Sequence, residues 1–264
     1  MIRAGRLPEP REIDETHALG MAEMGFAGLS EPWLMRRAGD LHWRLIARAM
    51  GQSEALFTCA RGEPLYAAFC ATRLTIERPG LPRLGGALSM SGRLHRVGRG
   101  RYGSVIELFA AGAPVGRVEL VTAFVGRGPE GGNRTLVRRA PRVLAVPAGA
   151  DPALDALARD AARGARAFRA APDDGAGRWF LPCPALDFNA AGLLYFPSFA
   201  ALADRAAFEA GHRAGPVRRR AVCHLGNVEP GERLRVTRAR RRQGWLDAIR
   251  GEDGRPLALL RGTD

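Results

Sequence analysis

Asp187 and Asn189 are the two side chains with chemical potential in an otherwise apolar stretch, LDFNAAGLLYFPSF, at residues 186–199. A carboxylate can act as a general base or a nucleophile. An amide has no usable basicity, but its NH2 group donates hydrogen bonds. Both residue types are also good N-caps, so either could satisfy the free N–H groups of a helix that begins near Leu193. The stretch therefore allows a catalytic and a capping interpretation.

The histidines form no metal-binding pattern. His42 follows Asp40 by two residues in GDLHW, so the two side chains do not share a helical face. No pair of histidines has HxxxH or HExxH spacing, and we predict no bound metal. A lone helical histidine is more often structural than catalytic, and His42 is kept only as a candidate substrate contact.

The composition is that of a soluble globular protein, with 46% hydrophobic and 25% charged residues in 264. The polar N-terminal stretch and the lack of a long apolar run lead us to expect neither a signal peptide nor a membrane span. The four cysteines form no CxxC pair, which fits a reducing cytoplasm better than a disulfide framework. The net charge is +13 and no residue is lysine, which excludes Schiff-base and P-loop lysine chemistry. The charge favours anionic partners, but nucleic-acid binding would depend on charge alone and is not expected.

These residues must be positioned by two halves with the same plan. An offset of 164 residues places Ala27, Gly28, Leu29 and Asp40 on Ala191, Gly192, Leu193 and Asp204. In the first half a helical pattern includes Trp33, Leu34, Leu41, Leu45 and Ile46, and strand-like runs follow at 65–76, 87–97, 103–110 and 116–125. In the second half a helix continues through Leu202, Ala206 and Phe208, and strand-like runs follow at 217–228, 232–242, 244–251 and 256–262. The turns AGAP and EDGR close the final hairpin of each half.

A connector rich in Gly, Pro and Arg separates the two halves. It leads into a helix predicted at about 153–168, with Asp151 as N-cap and Pro152 at the first helical position. We therefore predict an N-terminal domain at 1–130, a connector at 131–178 and a C-terminal domain at 179–264. Each domain is an α+β unit, in which one helix is followed by about four antiparallel strands.

A helix wrapped by a curved antiparallel sheet, duplicated in tandem, resembles a double-hotdog protein. FNAAGLLYFPSF resembles the start of the hotdog helix in 4-hydroxybenzoyl-CoA-type thioesterases, whose catalytic aspartate would correspond to Asn189 here and to Gly25 in the first half. GLSEPWLMRRAGDLHW and LYAAFCATRL more closely resemble the family of the leinamycin-pathway decarboxylase/acyltransferase, from about Gly25 to the C-terminus. That family acts on methylmalonyl-CoA and an acyl carrier protein and uses a tyrosine on the strand after the helix. The resemblance places that tyrosine at Tyr66.

The resemblance implies a reaction centre of Tyr66 and Asn189. Decarboxylation of a malonyl-type thioester needs donors for the developing enolate oxygen, which the Asn189 NH2 group could supply. If Gly192 opens the helix, its N–H would be a second donor. Tyr66 could be nucleophile, acid or oxyanion donor, and the donor or acid roles are preferred because an ordinary phenol needs strong activation to attack. Ser89 and Ser91 share a strand face and could line a thioester tunnel, although cross-strand packing explains them equally well.

The function expected from the resemblance is an acyl-thioester enzyme of polyketide or fatty-acid-like biosynthesis, most plausibly a decarboxylase/acyltransferase. Its partners would be acyl-CoA and acyl carrier protein, with arginines at the channel mouth, and no cofactor other than the coenzyme A or phosphopantetheine thioester that is the substrate. The alternatives are a thioesterase or dehydratase on the same fold, and a non-catalytic carrier-binding module. Both a monomer with an internal pair of hotdogs and a homodimer remain open.

Overall fold

The computed structural model describes residues 12–142, 151–173, 175–212 and 215–263. The N-terminal half runs β1 Glu12–Ala18, β2 Met24–Gly25, β3 Gly28–Leu29, α1 Glu31–Ala49, β4 Phe57–Thr58, β5 Pro64–Ile76, β6 Ala87–Arg96, β7 Tyr102–Ala110, β8 Ala113–Arg127 and β9 Leu136–Arg138, with a 3-10 turn at Asn133–Thr135. After α2, Pro152–Ala170, the C-terminal half runs β10 Arg178–Phe180, α3 Pro184–Asp187, α4 Phe196–Glu209, β11 Arg219–His224, β12 Leu234–Arg241, β13 Gly244–Gly251 and β14 Pro256–Thr263. The protein is therefore an α+β structure.

One antiparallel sheet of twelve strands joins the two halves. Its path is β1-β6-β7-β8-β5-β11-β14-β13-β12-β10, with β4 attached to β5 and β9 attached to β8. The strand order of the first half, counted from one edge to the middle, is repeated by the second half, counted from the other edge. In this repeat β5 corresponds to β11, β8 to β14, β7 to β13, β6 to β12 and β1 to β10. The halves meet where β5 pairs with β11, at Arg73 opposite Ala221 and Ala71 opposite Cys223.

Helices α1 and α4 each have a proline as their second residue. The N-cap of α1 is Ser30, whose side chain accepts a hydrogen bond from the Trp33 N–H. Tyr195 precedes α4 in the corresponding place. The prolines Pro32 and Pro197 are 165 residues apart. The repeat that the sequence shows at an offset of 164 is thus shifted by one residue where the helices start.

Helices α1 and α4 pack together on the inner face of the sheet. Gly39 allows this approach, because a Cβ atom there would lie only 2.8 Å from the Phe196 ring. The rings of Trp43 and Tyr195 stack one turn away, with centroids 6.2 Å apart. Helix α2 lies on the outer face, where Leu154 and neighbouring side chains pack on strands from both halves.

Most predicted elements are confirmed. The four strand runs of the first half correspond to β5 through β8, those of the second half to β11 through β14, and the connector helix forms with the Asp151 side chain accepting from the Ala153 N–H. Three predictions were incomplete or wrong. The sequence patterns did not predict the edge strands β1 and β10 or the β2–β3 hairpin, and β11 covers only half of its predicted run. No helix begins near Leu193, since α4 begins at Phe196. Part of the predicted connector, 143–150, lies outside the described residues, and the proposed domain boundaries stay a prediction.

Within the described ranges, no helix combines the length and the hydropathy needed to span a bilayer. All four cysteines are free, and Cys183 is exposed. Nowhere in the described part of the chain do three or more His, Cys, Asp or Glu side chains gather as they would around a metal ion.

Candidate functional site

Asn189 folds the loop that precedes α4. Its Oδ1 atom accepts hydrogen bonds from the N–H groups of Ala191 (3.0 Å) and Leu193 (3.1 Å), and Phe188 pairs with Leu194 at the base of the loop. The side chain is therefore a cap, but for this turn rather than for the helix. Its NH2 group is not engaged by any described residue and remains available as a donor.

Asp187 is occupied by structural contacts. Its carboxylate accepts the Cys183 N–H at 2.8 Å, which ties the two ends of the short helix α3 together. Its carbonyl oxygen accepts from the Tyr195 N–H and from the Ser198 hydroxyl. The carboxylate of Asp187 thus closes α3, and the backbone carbonyl of the same residue stabilises the entry into α4.

Gly192 does not open a helix, as the sequence had suggested. It has φ = +72°, which favours glycine, and its N–H donates to the Asn189 carbonyl oxygen at 2.9 Å. Helix α4 begins four residues later. The predicted second donor at a helix end is wrong, because this N–H is already used within the turn.

Three polar residues that the sequence interpretation missed fix the loop in place. Arg127 donates to the Ala191 carbonyl oxygen at 2.7 Å. The almost fully buried Asn133 donates from Nδ2 to the carbonyl oxygens of Gly192 (2.7 Å) and Val228 (2.9 Å). The amide group of Asn227 makes hydrogen bonds with both the N–H and the carbonyl oxygen of Leu194. The two asparagines stand in the turn-like segments GGNRT and GNVEP, and that was the signal available in the sequence.

Tyr66 lies at the same end of the sheet as this loop. Its neighbours Leu65 and Ala67 belong to the core under α1, so alternation places the half-buried Tyr66 on the outer face. It opposes Val125 in β8, and Arg127 follows two residues later on that same face. Because Arg127 also holds Ala191, the structure brings Tyr66 and the Asn189 loop to one region, although no direct contact between Tyr66 and Asn189 is recorded among the described residues.

His42 is a buried structural residue and not the substrate contact that the sequence suggested. It is fully buried, with Nδ1 2.8 Å from the Ser104 hydroxyl and Nε2 2.9 Å from the Thr122 hydroxyl. Thr122 donates to the Tyr102 carbonyl oxygen, so the Nε2–H donates to Thr122 and Nδ1 accepts from Ser104. Burial lowers the pKa of His42 to about 3, which keeps the ring neutral.

Ser89 and Ser91 point away from the core on the outer face of β6, far from the Asn189 loop in the sheet order. Thr16 and Asp14 of the edge strand β1 oppose them. The Ser89 and Thr16 hydroxyls are 2.9 Å apart, and Ser91 is exposed. Cross-strand packing therefore accounts for Ser89, and a thioester tunnel lined by the two serines stays a prediction.

Beneath the loop, the interior contains two further groups that the sequence interpretation overlooked. Burial raises the pKa of Tyr195 to about 12, and its ring lies between Trp43 and the Arg36 guanidinium, which is 5.9 Å from the ring centroid. His224 has both ring nitrogens buried without a hydrogen-bond partner, next to Phe196 and Phe199. Burial lowers the pKa of His224 to about 3.

No protein-family model matches the chain, and no curated protein sequence matches it either. Solved structures do. The 12:0-ACP thioesterase from Umbellularia californica has a TM-score of 0.68 at 11% identity and covers 98% of both chains. An acyl-ACP thioesterase from Bacteroides thetaiotaomicron has a TM-score of 0.63 at 9% identity, with 96% of this chain and 97% of that chain covered. HtdX from Mycobacterium tuberculosis has a TM-score of 0.57 at 14% identity, with 96% and 99% covered.

These similarities extend over the whole chain and show the fold: it is that of hotdog thioesterase structures. At such low identity they do not carry over a reaction or a residue. What the region around the Asn189 loop can do must be argued from its own groups: an amide NH2, a tyrosine on the adjoining sheet face, several arginines and no free carboxylate in the loop.

Proposed function

We propose that the protein is a double-hotdog acyl-thioester enzyme that decarboxylates a malonyl-type thioester and transfers the acyl group to a carrier protein. The observation that supports this reaction is the chemistry of the loop before α4. Asn189 presents an NH2 donor, while the Asp187 carboxylate is held by the Cys183 N–H. The loop can stabilise an oxyanion, and the one carboxylate beside it closes α3.

Decarboxylation requires little beyond that donor. The bond between the α-carbon and the carboxylate carbon breaks, its electron pair moves into the thioester as an enolate, and CO2 leaves. The Asn189 NH2 group donates to the enolate oxygen, and a donor of this kind contributes about 3 kcal/mol to the transition state. Tyr66 supplies the proton that returns to the α-carbon or a second hydrogen bond to the oxygen.

Transfer is a thioester exchange. The thiol of the carrier's phosphopantetheine arm attacks the acyl carbonyl carbon, the bond to the coenzyme A sulfur breaks, and the departing thiolate takes up the proton. Neither step needs a metal or a redox cofactor. In this proposal the two halves of one chain supply both hotdog units, and the protein works in the cytoplasm, where acyl-CoA is available.

Thioester hydrolysis is the second candidate, and the fold favours it, since two of the similar structures bear the name of acyl-ACP thioesterases. It would require a base that the Asn189 loop lacks. The two reactions are separated by their products: transfer leaves an acyl group on the carrier, and hydrolysis leaves a free acid.

The test is intact-protein mass spectrometry of a holo acyl carrier protein incubated with the protein and malonyl-, methylmalonyl-, propionyl- or longer acyl-CoA. We expect the carrier to gain an acetyl or propionyl mass from a malonyl-type donor, and no such gain without the protein. Free coenzyme A with an unloaded carrier would favour hydrolysis. An unchanged carrier and unchanged coenzyme A esters throughout the panel would contradict both reactions.

Two variants test whether Asn189 and Tyr66 take part in the reaction. Asn189→Asp keeps an acceptor oxygen for the two backbone N–H groups and adds a carboxylate, so we expect slower decarboxylation and new hydrolysis. Tyr66→Phe removes one hydroxyl and should abolish carrier loading. Tyr102→Phe, the same change on a ring that packs in the core on the inner face, is the matched control and should load the carrier like the wild type. Equal activity of all three variants would remove Tyr66 and Asn189 from the reaction.

A further inference from the structure

Two arginines on the outer face near Tyr66, Arg101 and Arg138, have no carboxylate partner among the described residues. The Nε atom of Arg101 is buried and has no hydrogen-bond partner. Neighbouring arginines differ: Arg139 forms an ion pair with Glu63, and Arg127 binds the Ala191 carbonyl oxygen. Unpaired guanidinium groups held close together repel one another, and a partly buried charge without a counter-ion is costly.

The strand register places Arg138 in line with Tyr66. Arg138 of β9 opposes Val125 of β8, and Val125 opposes Tyr66 of β5. Directly opposed residues in antiparallel strands share a face, so all three side chains lie on the outer face. Two strand spacings separate Arg138 from Tyr66, or roughly 10 Å between their backbones, which an arginine and a tyrosine side chain together can bridge.

Arg101 lies on the same side of β8 as Arg138, because β7 and β9 both pair with the edge of β8 that faces away from β5. The following residue, Tyr102, packs its ring against Phe124 in the inner core, so alternation directs Arg101 to the outer face. The guanidinium groups of Arg101 and Arg138 are both near enough to the Cys70 thiol to lower its pKa, although burial raises that pKa more. Cys70 follows Tyr66 by four residues in β5, roughly 13 Å along the strand, so the two charges lie on the outer face over the segment between Tyr66 and Cys70.

The sheet surface between these residues consists of small side chains. Ala123 of β8 opposes Ala68 of β5, so methyl side chains alone occupy the strand positions between Tyr66 and Cys70. An anion seated there would accept charge-assisted hydrogen bonds from two guanidinium groups, which suit a carboxylate well.

The position beside Tyr66 identifies which anion of the substrate it would be. In a malonyl-type thioester the free carboxylate is separated from the thioester carbonyl carbon by one carbon atom, whereas the phosphates lie at the far end of the pantetheine arm. If Tyr66 contacts the reacting thioester, only the acyl carboxylate can reach Arg101 and Arg138.

We propose that Arg101 and Arg138 form a carboxylate-binding site that selects malonyl-type acyl groups over uncharged ones and places them against Tyr66. This inference rests on the proposed function for the identity of the substrate. It adds the residues that determine specificity, and it explains how product leaves, since loss of CO2 removes the charge that the site binds.

The test is isothermal titration of malonyl-CoA and of propionyl-CoA into Tyr66→Phe protein, in which neither ligand is consumed, with Arg101→Gln or Arg138→Gln added. Arg240→Gln, which removes an exposed and unpaired arginine of the other half, is the matched control. We expect each site variant to raise the Kd of malonyl-CoA by about tenfold or more and to leave propionyl-CoA unchanged, as for a lost charged hydrogen bond. Arg138 is exposed, so its variant should fold normally.

Equal weakening of both ligands would overturn the proposal, because the arginines would then contact the coenzyme A part. So would an unchanged Kd for malonyl-CoA. Free malonate, which has no thioester, is titrated in parallel into the wild type and the arginine variants. Binding of malonate that depends on Arg138, with no binding of either coenzyme A ester, would retain the carboxylate site and reject the proposed function. Malonate binding that does not depend on either arginine would reject the site.

Discussion

The two halves of the protein share a backbone plan but stabilise the same buried strand position with different chemistry. Ser104 of β7 opposes Leu120, and Asp247 of β13 opposes Leu260. An aromatic residue, Tyr102 or Trp245, comes two positions earlier in each strand. Ser104 and Asp247 are therefore equivalent in the two halves, and both are fully buried.

In the N-terminal half, the buried strand position is part of a network of uncharged hydrogen-bonding side chains. Ser104 binds His42 of α1, which in turn donates to Thr122. Each polar atom of the imidazole has a partner, so the ring is buried without a charge and without an unpaired nitrogen.

In the C-terminal half, the equivalent position holds Asp247, which is part of a network of charged side chains. Arg238 donates two hydrogen bonds to the Asp247 carboxylate, at 2.6 and 2.7 Å, and its guanidinium stacks on Trp245. Nearby, Arg220 donates to Asp204 of α4 and to Glu31 of α1 and so links the two halves. A cavity of about 20 Å³ beside Glu31 and Arg220 has room for one water molecule.

The shared fold of the two halves determines where a buried polar side chain lies, but it does not determine the type of that side chain. A position that faces a packed helix needs satisfied hydrogen bonds, and a histidine–hydroxyl network or a bidentate ion pair both provide them. The ionic solution carries the larger charges, so removal of a single partner should cost more in the C-terminal half.

The largest effect is expected for Asp247→Ala. The change leaves Arg238 partly buried without its carboxylate, and we expect a loss of about 3 kcal/mol in the free energy of unfolding. Urea denaturation at pH 7 measures it. Arg238→Leu combined with Asp247→Leu should recover most of that loss, because the uncompensated charge is gone. Glu209→Ala, which removes an exposed partner of Arg178, is the control and should cost less than about 1 kcal/mol. A double variant as unstable as the single one would contradict the ionic explanation.

A smaller loss is expected for removing the hydroxyl at the equivalent position, Ser104→Ala. The imidazole Nδ1 of His42 then remains buried without a donor, which costs about 1–2 kcal/mol. The same denaturation experiment applies, and Ser91→Ala on the exposed face of β6 is the matched control, expected to have almost no effect. If Ser104→Ala destabilises as much as Asp247→Ala, the two networks do not differ in the way proposed.

The smallest effect at neutral pH is expected for His224→Leu, since the imidazole nitrogens there have no partner to lose. The difference should grow in acid. The pKa of His224 is about 3 in the folded protein and near 6.5 in the unfolded chain, so below about pH 6 the unfolded chain binds a proton that the folded protein does not. Stability therefore falls with decreasing pH between about 6 and 3, and His224→Leu should reduce that dependence.

Urea denaturation at pH 7 and at pH 4.5 compares His224→Leu with the wild type. His212→Leu, which changes an exposed histidine, serves as the control and should leave the pH dependence as it is. His42 has the same lowered pKa, so the wild type and the His224→Leu variant should both retain a second, equal contribution. An unchanged pH dependence in the His224→Leu protein would show that this ring is not buried in its neutral form.

Much of the architecture followed from the sequence because it is encoded in local patterns. Alternating apolar residues identified the long strands, Gly and Pro marked the hairpin turns, and Asp151 with Pro152 marked the start of α2. The edge strands β1 and β10 escaped because they are short or polar and gain their hydrogen bonds only from a neighbouring strand. The start of α4 was misplaced because Asn189 binds the loop backbone, a choice between turn and helix that residue type alone does not decide.

The sequence by itself determined the repeated plan, the absence of lysine chemistry and the residue types available before α4. Only the tertiary structure decided which of them are free to react. His42 is engaged by hydroxyl groups far away along the chain, the Asp187 carboxylate accepts the Cys183 N–H of α3, and Ser91 faces solvent. Tyr66 and Arg138 share one face of the sheet only because β9, β8 and β5 align in one register. Contacts of this kind join residues far apart in the chain, and their formation depends on the packing of the whole sheet.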